Sequence, residues 1–168
     1  KEQLGMRTGF IDVRRAYFHA RTHRPVFVEL PAEESEDGMC GELLKSMYGT
    51  RDAATNWEAA YQEQMASMRF IMGKASGCLF RHEGRNISTM VHGDDFTILG
   101  MEEDLDWFRD RIRERFDVKA KRIGPGLKDE KSTRILNRVV EWTGEGIKYE
   151  ADQRHGEILV EHLGLKNE

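Results

Sequence analysis

Met90-Val-His-Gly-Asp-Asp-Phe-Thr-Ile-Leu99 sets two adjacent carboxylates between two apolar strand halves. The stretch reads as a hairpin whose tight turn carries Asp94 and Asp95 at the rim of a sheet. A second stretch, Phe10-Ile-Asp-Val-Arg-Arg-Ala-Tyr-Phe18, ends a short apolar strand, Thr8 to Asp12, on another carboxylate. Acids in so apolar a setting are costly unless they are solvated, hydrogen-bonded or bound to cations. If the Asp12 strand lies beside the hairpin, Asp12 and Asp94 point at one spot, and divalent cations relieve their repulsion. Hard oxygen ligands suit magnesium or manganese. Two such ions about 4 Å apart drive in-line displacement at phosphorus. An Asp-Asp pair also suits an ordinary turn, and the pattern by itself leaves both readings open.

Outward from these stretches, periodicity assigns most of the remaining elements. Ala53, Trp57, Ala60, Tyr61, Gln64, Met65 and Met68 recur at helical spacing, which predicts a helix from Asp52, its N-cap, to about Met72. Cys78 to Arg81 and Ile87 to Val91 read as strands around Glu83-Gly84-Arg85. Leu105, Phe108, Ile112 and Phe116 give an apolar stripe to a helix over about Glu102 to Phe116, with arginines on its other face. Val118 to Ile123 reads as a strand. Pro25 to Pro31 reads as extended, Glu33 to Gly38 as an acidic loop, and Leu43 to Tyr48 as extended or a turn leading to Gly49. Arg134 to Trp142 and Ile147 to Glu150 suggest a hairpin about Gly144-Glu145-Gly146. Asp152 to His162 suggests a last helix capped by Asp152 and stopped by Gly164. The order predicts an α+β fold, an antiparallel sheet with helices on one side.

At 168 residues with 39% hydrophobic and 33% charged residues, the chain is long enough for one packed domain and too apolar for disorder. No apolar run is long enough for a transmembrane helix, and no signal peptide is visible at Lys1, so no membrane role is expected. Two cysteines, Cys40 and Cys78, cannot build a disulfide scaffold, which favours a reducing, intracellular compartment, with cytoplasm and nucleus undecided. The missing initial methionine suggests a piece of a longer chain. Net charge is -4, yet Lys1 to Leu30 holds six basic against three acidic residues and Trp107 to Arg134 ten against five. Two basic segments that meet in the fold make a positive surface suited to nucleic acid; the alternative is a solvated charged helix face. Trp57, Trp107 and Trp142 are each a stacking platform or a core residue.

Asp12-Val-Arg-Arg-Ala-Tyr-Phe18 resembles the first catalytic motif of reverse transcriptases. Leu43-Leu-Lys-Ser-Met-Tyr-Gly-Thr-Arg-Asp-Ala-Ala-Thr-Asn-Trp57 resembles a signature of copia-type (Pseudoviridae) retrotransposon polymerases, and Val91-His-Gly-Asp-Asp95 their valine-aspartate-aspartate box. Ile135-Leu-Asn-Arg-Val-Val-Glu141 and Ala151-Asp-Gln-Arg-His155 are similar to the segments that follow. Three places depart from the family pattern: His92-Gly93 in place of a bulky pair, Ala54 in place of proline, and Lys119 to Gly124, where only the glycine is kept.

The resemblance implies a right-hand polymerase fold: a palm-like antiparallel sheet backed by helices, with partial fingers and no complete thumb. Residues 1–124 would form the palm core with partial fingers, and 125–168 a C-terminal hairpin and helix of the same domain. It implies RNA-directed DNA polymerisation with two magnesium (or manganese) ions. Asp12 and Asp94 would be metal ligands, Asp95 the supporting carboxylate, and the Val13 carbonyl a further ligand. Tyr17 would lie under the sugar of the incoming nucleotide, Gly49 and Arg51 would cradle nucleotide and template, and Lys119 or Lys121 would protonate the leaving pyrophosphate. The implied partners are a primed RNA or DNA template, deoxynucleoside triphosphates, and the fingers, thumb and ribonuclease H regions of a parent polyprotein. Two other readings stay open: a retained inactive palm module that binds nucleic acid or protein, and a different divalent-metal phosphohydrolase or nuclease.

Overall fold

The computed structural model describes residues 5–136, 138–150 and 153–165. Six antiparallel strands form the main sheet in the order β4-β5-β6-β7-β1-β8. They are β1 (Arg7–Val13), β4 (Ile71–Met72), β5 (Leu79–His82), β6 (Ile87–His92), β7 (Asp95–Gly100) and β8 (Val118–Ile123). Their side chains alternate between two faces, and the sequence makes those faces chemically different. Ile11, Val13, Phe80, Ile87, Val91, Phe96 and Ile98 are buried on one face. Against them pack the stripes of α1 (Ala53–Ser67) and α2 (Glu102–Arg113): Trp57, Tyr61 and Met65 from the first, Leu105, Phe108 and Ile112 from the second. Each such side chain, fully buried, contributes about 2 kcal/mol.

The opposite face carries Phe10, Asp12, Asp95, Thr97, Leu99, Met90 and Leu79 in register. A second sheet, β11-β10-β9, packs on its β1–β8 end. There Val140, from β10 (Arg138–Thr143), joins Phe10 and Ile123 in a separate buried cluster. The strands flanking β10 are β9 (Ser132–Ile135) and β11 (Gly146–Tyr149). Among the described residues, the stretch across β4 to β7 is uncovered, and Ile71, Leu79, Met90 and Leu99 are exposed there.

Several boundaries differ from the sequence reading. The helix expected to reach Met72 ends at Ser67, and Ile71–Met72 is instead an edge strand. The cause is a Schellman stop: Phe70 N–H donates to the Met65 carbonyl (3.0 Å) and Arg69 N–H to that of Ala66 (2.9 Å), with Arg69 at φ 65°. Glycine normally fills that left-handed position, and Arg69 gives no such signal in the sequence. Asp52 sits at the N-cap position without a side-chain cap bond, because its carboxylate pairs with Arg24. Of Pro25 to Pro31 only β2 (Phe27–Val28) is paired, with β3 (Gly41–Glu42), while Leu43 to Tyr48 contributes no strand. Arg134 to Trp142 is two strands, β9 and β10, with Leu136 at φ 47° between them. The helix read to Phe116 ends at Arg113, and the Phe116 amide still reaches the Ile112 carbonyl at 3.0 Å. α3 (Gln153–His162) ends at Gly164 (φ 66°) as expected, while Asp152, its expected cap, lies outside the described residues.

Candidate active site

The β6–β7 hairpin pairs His92 with Asp95, leaving Gly93 and Asp94 as the two turn residues. Gly93 has φ 62°, the sign that the first position of a type II′ turn requires. In the neighbouring strand Asp12 stands directly across from Asp95, and Lys119 of β8 across from Asp12 on its other side. The sequence reading set Asp12 against Asp94; the register sets it against Asp95. Asp94 is held beside β1 through its backbone, where its carbonyl accepts the Val13 amide at 3.0 Å. Lys121 lies two residues along β8, opposite Phe10, on the same face. Together these residues open onto a cleft of about 360 Å³, lined by Asp12, Asp95, Lys119, Lys121, Arg134 and Leu136.

Electrostatically the site is unsettled. Among the described residues, none of Asp12, Asp94 and Asp95 takes part in an ion pair. Burial pushes the Asp95 carboxyl above its usual range, and the charges of Asp94 and Asp12 push it the same way, against His92 and Lys121. Two acids whose charges act on a third make an oxygen-only donor set that a hard divalent cation fits, because the ion removes the repulsion at Asp95. Among the described residues, no three His, Cys, Asp or Glu side chains stand gathered as a ready-made ion cage.

A family model described as reverse transcriptase (RNA-dependent DNA polymerase) matches residues 5–125, which include β1, the β6–β7 turn and β8. The chain belongs to this family. It is also 22% identical over 165 residues to a retrovirus-related Pol polyprotein from transposon TNT 1-94 of Nicotiana tabacum. That match takes in 94% of this chain and 12% of the relative, so the chain spans about an eighth of the length of the polyprotein it matches. A transposon polyprotein agrees with the copia-type resemblance of the motifs.

The remaining motif residues of this reverse-transcriptase domain fall in two groups. Tyr17 lies in a 3-10 turn, Ala16–His19, that follows β1, and its ring meets that of Tyr48 at 4.4 Å. This contact docks the segment before α1 next to the Asp12 strand and brings Gly49, at φ 88°, alongside. Arg51 is exposed at the start of α1, with no ion pair among the described residues. Of the ten basic residues over Trp107 to Arg134, four are held in ion pairs among the described residues. Arg109 pairs with Asp106 and Asp110, Arg111 with Glu114, Arg115 with Glu63, and Arg122 with Glu102 and Asp129. Among the described residues, Lys119 and Lys121, which line the cleft, form no such pair. The tryptophans pack within the protein: Trp57 is in the core, Trp107 lies against Phe70 and under Arg85, and Lys131 covers Trp142. Sequence reasoning missed Arg134, which enters the cleft from β9, and a hydrogen bond from Trp57 to the acid-bearing turn. A buried tryptophan needs a partner for its N–H, and that was the available signal. Among the described residues, no helix is long and apolar enough to cross a membrane.

Proposed function

We propose that the chain is the palm portion, with partial fingers over 1–124 and a C-terminal extension over 125–168, of an enzyme that performs template-directed nucleotidyl transfer from deoxynucleoside triphosphates to a primer. The observation that carries this reading is the trio Asp12, Asp94 and Asp95: Asp12 and Asp95 stand across from each other in the sheet and line a cleft, Asp94 is in the turn beside them, and none of the three has an ion-pair partner among the described residues. Asp12 and Asp94 would hold two magnesium or manganese ions, with Asp95 in support and the Val13 carbonyl as a further oxygen ligand. Such ions, when bound, activate the primer 3′-hydroxyl and neutralise charge on the triphosphate.

The chain's own residues do the rest by position and charge. Lys119 and Lys121 lean over the acids from β8 and stabilise, or protonate, the departing pyrophosphate. Tyr17, braced by Tyr48, sets a ring beneath the incoming sugar, where a 2′-hydroxyl would collide with it. Gly49 leaves the backbone open to a phosphate or base, and Arg51 offers a fork of donors to phosphate. Sequence information comes from base pairing, so backbone contacts suffice for the template. Grip on the primer-template duplex falls to the fingers, thumb and ribonuclease H regions of the parent polyprotein.

Primer extension with manganese, comparing the chain with its Asp94→Asn variant, tests the proposal. Extension that the substitution abolishes supports it. Equal signal from both proteins contradicts it, because loss of one first ligand should remove at least a hundredfold of rate.

A further inference from the structure

The turn that carries Asp94 is built on glycine, which by itself leaves the backbone free to swing. A Cβ placed at Gly93 would find nothing within 4 Å, so nothing packs against the turn on that side. Two hydrogen bonds hold its carbonyls. The Val13 amide donates to the Asp94 carbonyl at 3.0 Å, and the Trp57 indole Nε1–H donates to the Gly93 carbonyl at 2.7 Å. The second is the unusual one, because it comes from a helix on the far side of the sheet. Trp57 is 2% exposed and wedged edge-on between Tyr61 and Phe116, with ring centroids at 5.6 and 5.0 Å. Its indole therefore has one place to be, and the N–H points at the turn.

We propose that Trp57 is a positioning residue that clamps the Gly93-Asp94 turn through this hydrogen bond and so fixes where the Asp94-Asp95 carboxylates stand. The proposal deepens the metal-site reading above and rests on it for its consequence, though not for the clamp itself. Trp57 touches no reacting group; it acts through the backbone of Gly93. The clamp also couples α1 to the acid pair.

The Val13 amide gives a direct readout, because it is buried and bonded to the turn it would report on. Hydrogen exchange is measured on the chain, on Trp57→Phe, and on a packing control, Phe116→Leu, which disturbs the same cluster but keeps the indole N–H. Where Trp57→Phe does not fold, a benzothiophene isostere at position 57 keeps the shape of the ring and drops the donor. The expected result is Val13 exchange faster by about tenfold without the donor and nearly unchanged in Phe116→Leu, the size a lost hydrogen bond allows. The manganese concentration at half-maximal melting shift should rise severalfold in the same variant. No acceleration in the folded donor-less protein, or equal acceleration in both variants, overturns the clamp. If the unmodified chain shows no manganese-dependent shift at all, the metal-site reading falls, while Val13 exchange still decides the clamp.

Discussion

The two ends of β1 treat a carboxylate in opposite ways. Near its start, Arg7 is buried and donates to Asp129 at 2.8 Å, and the same carboxylate accepts from Arg122 at 2.6 Å and from the Gly126 N–H at 2.7 Å. Burial pushes the Asp129 carboxyl up, but these donors outweigh it and leave it below the usual carboxylate range. At the other end Asp95 meets two further acids, and its carboxyl is pushed up. One acid is satisfied from within and works as a fastener between β1, β8 and the loop after it. The other is opposed by like charges from Asp94 and Asp12. The two ends of one strand thus lie beside an acid satisfied by donors and an acid crowded by other acids, and the opposite pKa directions come from those partners.

Asp129→Ala should give the largest effect, a loss of about 3 kcal/mol in chemical unfolding, because Arg7 and Arg122 lose their shared buried partner and keep only Glu102 and, for Arg122, Asp106 at 3.6 Å. A loss below about 0.5 kcal/mol would erase the distinction between the two ends. Gly126→Ala should follow at about 1–3 kcal/mol, since a Cβ there would stand 2.7 Å from an Asp129 oxygen; unchanged stability would mean the loop gives way freely. Asp12→Asn should move metal-free stability by no more than about 0.5 kcal/mol, and in the stabilising direction, because it removes repulsion from Asp95. Clear destabilisation would make the acids structural after all.

Acid titration separates the ends by sign. The depressed Asp129 contributes stability that is present above the unfolded carboxylate value, about pH 4, and is lost as pH falls through the lower folded value. The raised Asp95 does the reverse: its charge costs stability as pH rises from about 4 through its higher folded value. Asp129→Asn should therefore flatten the acid limb of a stability curve, and Asp95→Asn should raise the neutral side relative to it. Curves that shift in the same direction would contradict the contrast.

How much of this was readable beforehand follows the range of the interactions. β1, β6, β7 and β8 were legible because their alternation is local, and α2 because its stripe repeats within the helix. The end of α1 was not, because Arg69 takes a left-handed conformation that glycine usually fills. The break between β9 and β10 at Leu136 carries no glycine or proline signal. The acids after Ile11 and Gly93 stood out as charges in apolar surroundings, which is a local anomaly. The fastener at Asp129 did not, because its partner Arg7 lies 122 residues away in the chain. The indole bond from Trp57 to Gly93 spans 36 residues and was hidden behind an ordinary core assignment. In the arginine-rich stretch, composition counts charges, and only the fold shows that Arg109, Arg111, Arg115 and Arg122 are already paired.

The most direct measurement is manganese-induced line broadening across the backbone amide spectrum of the chain. Broadening should centre on Asp12, Asp94 and Asp95, fade with distance along β1 and β8, and vanish in Asp12→Asn. Broadening centred instead on the acidic loop around Glu33 to Asp37, or left intact by the substitution, would show that these sheet carboxylates do not form the metal site.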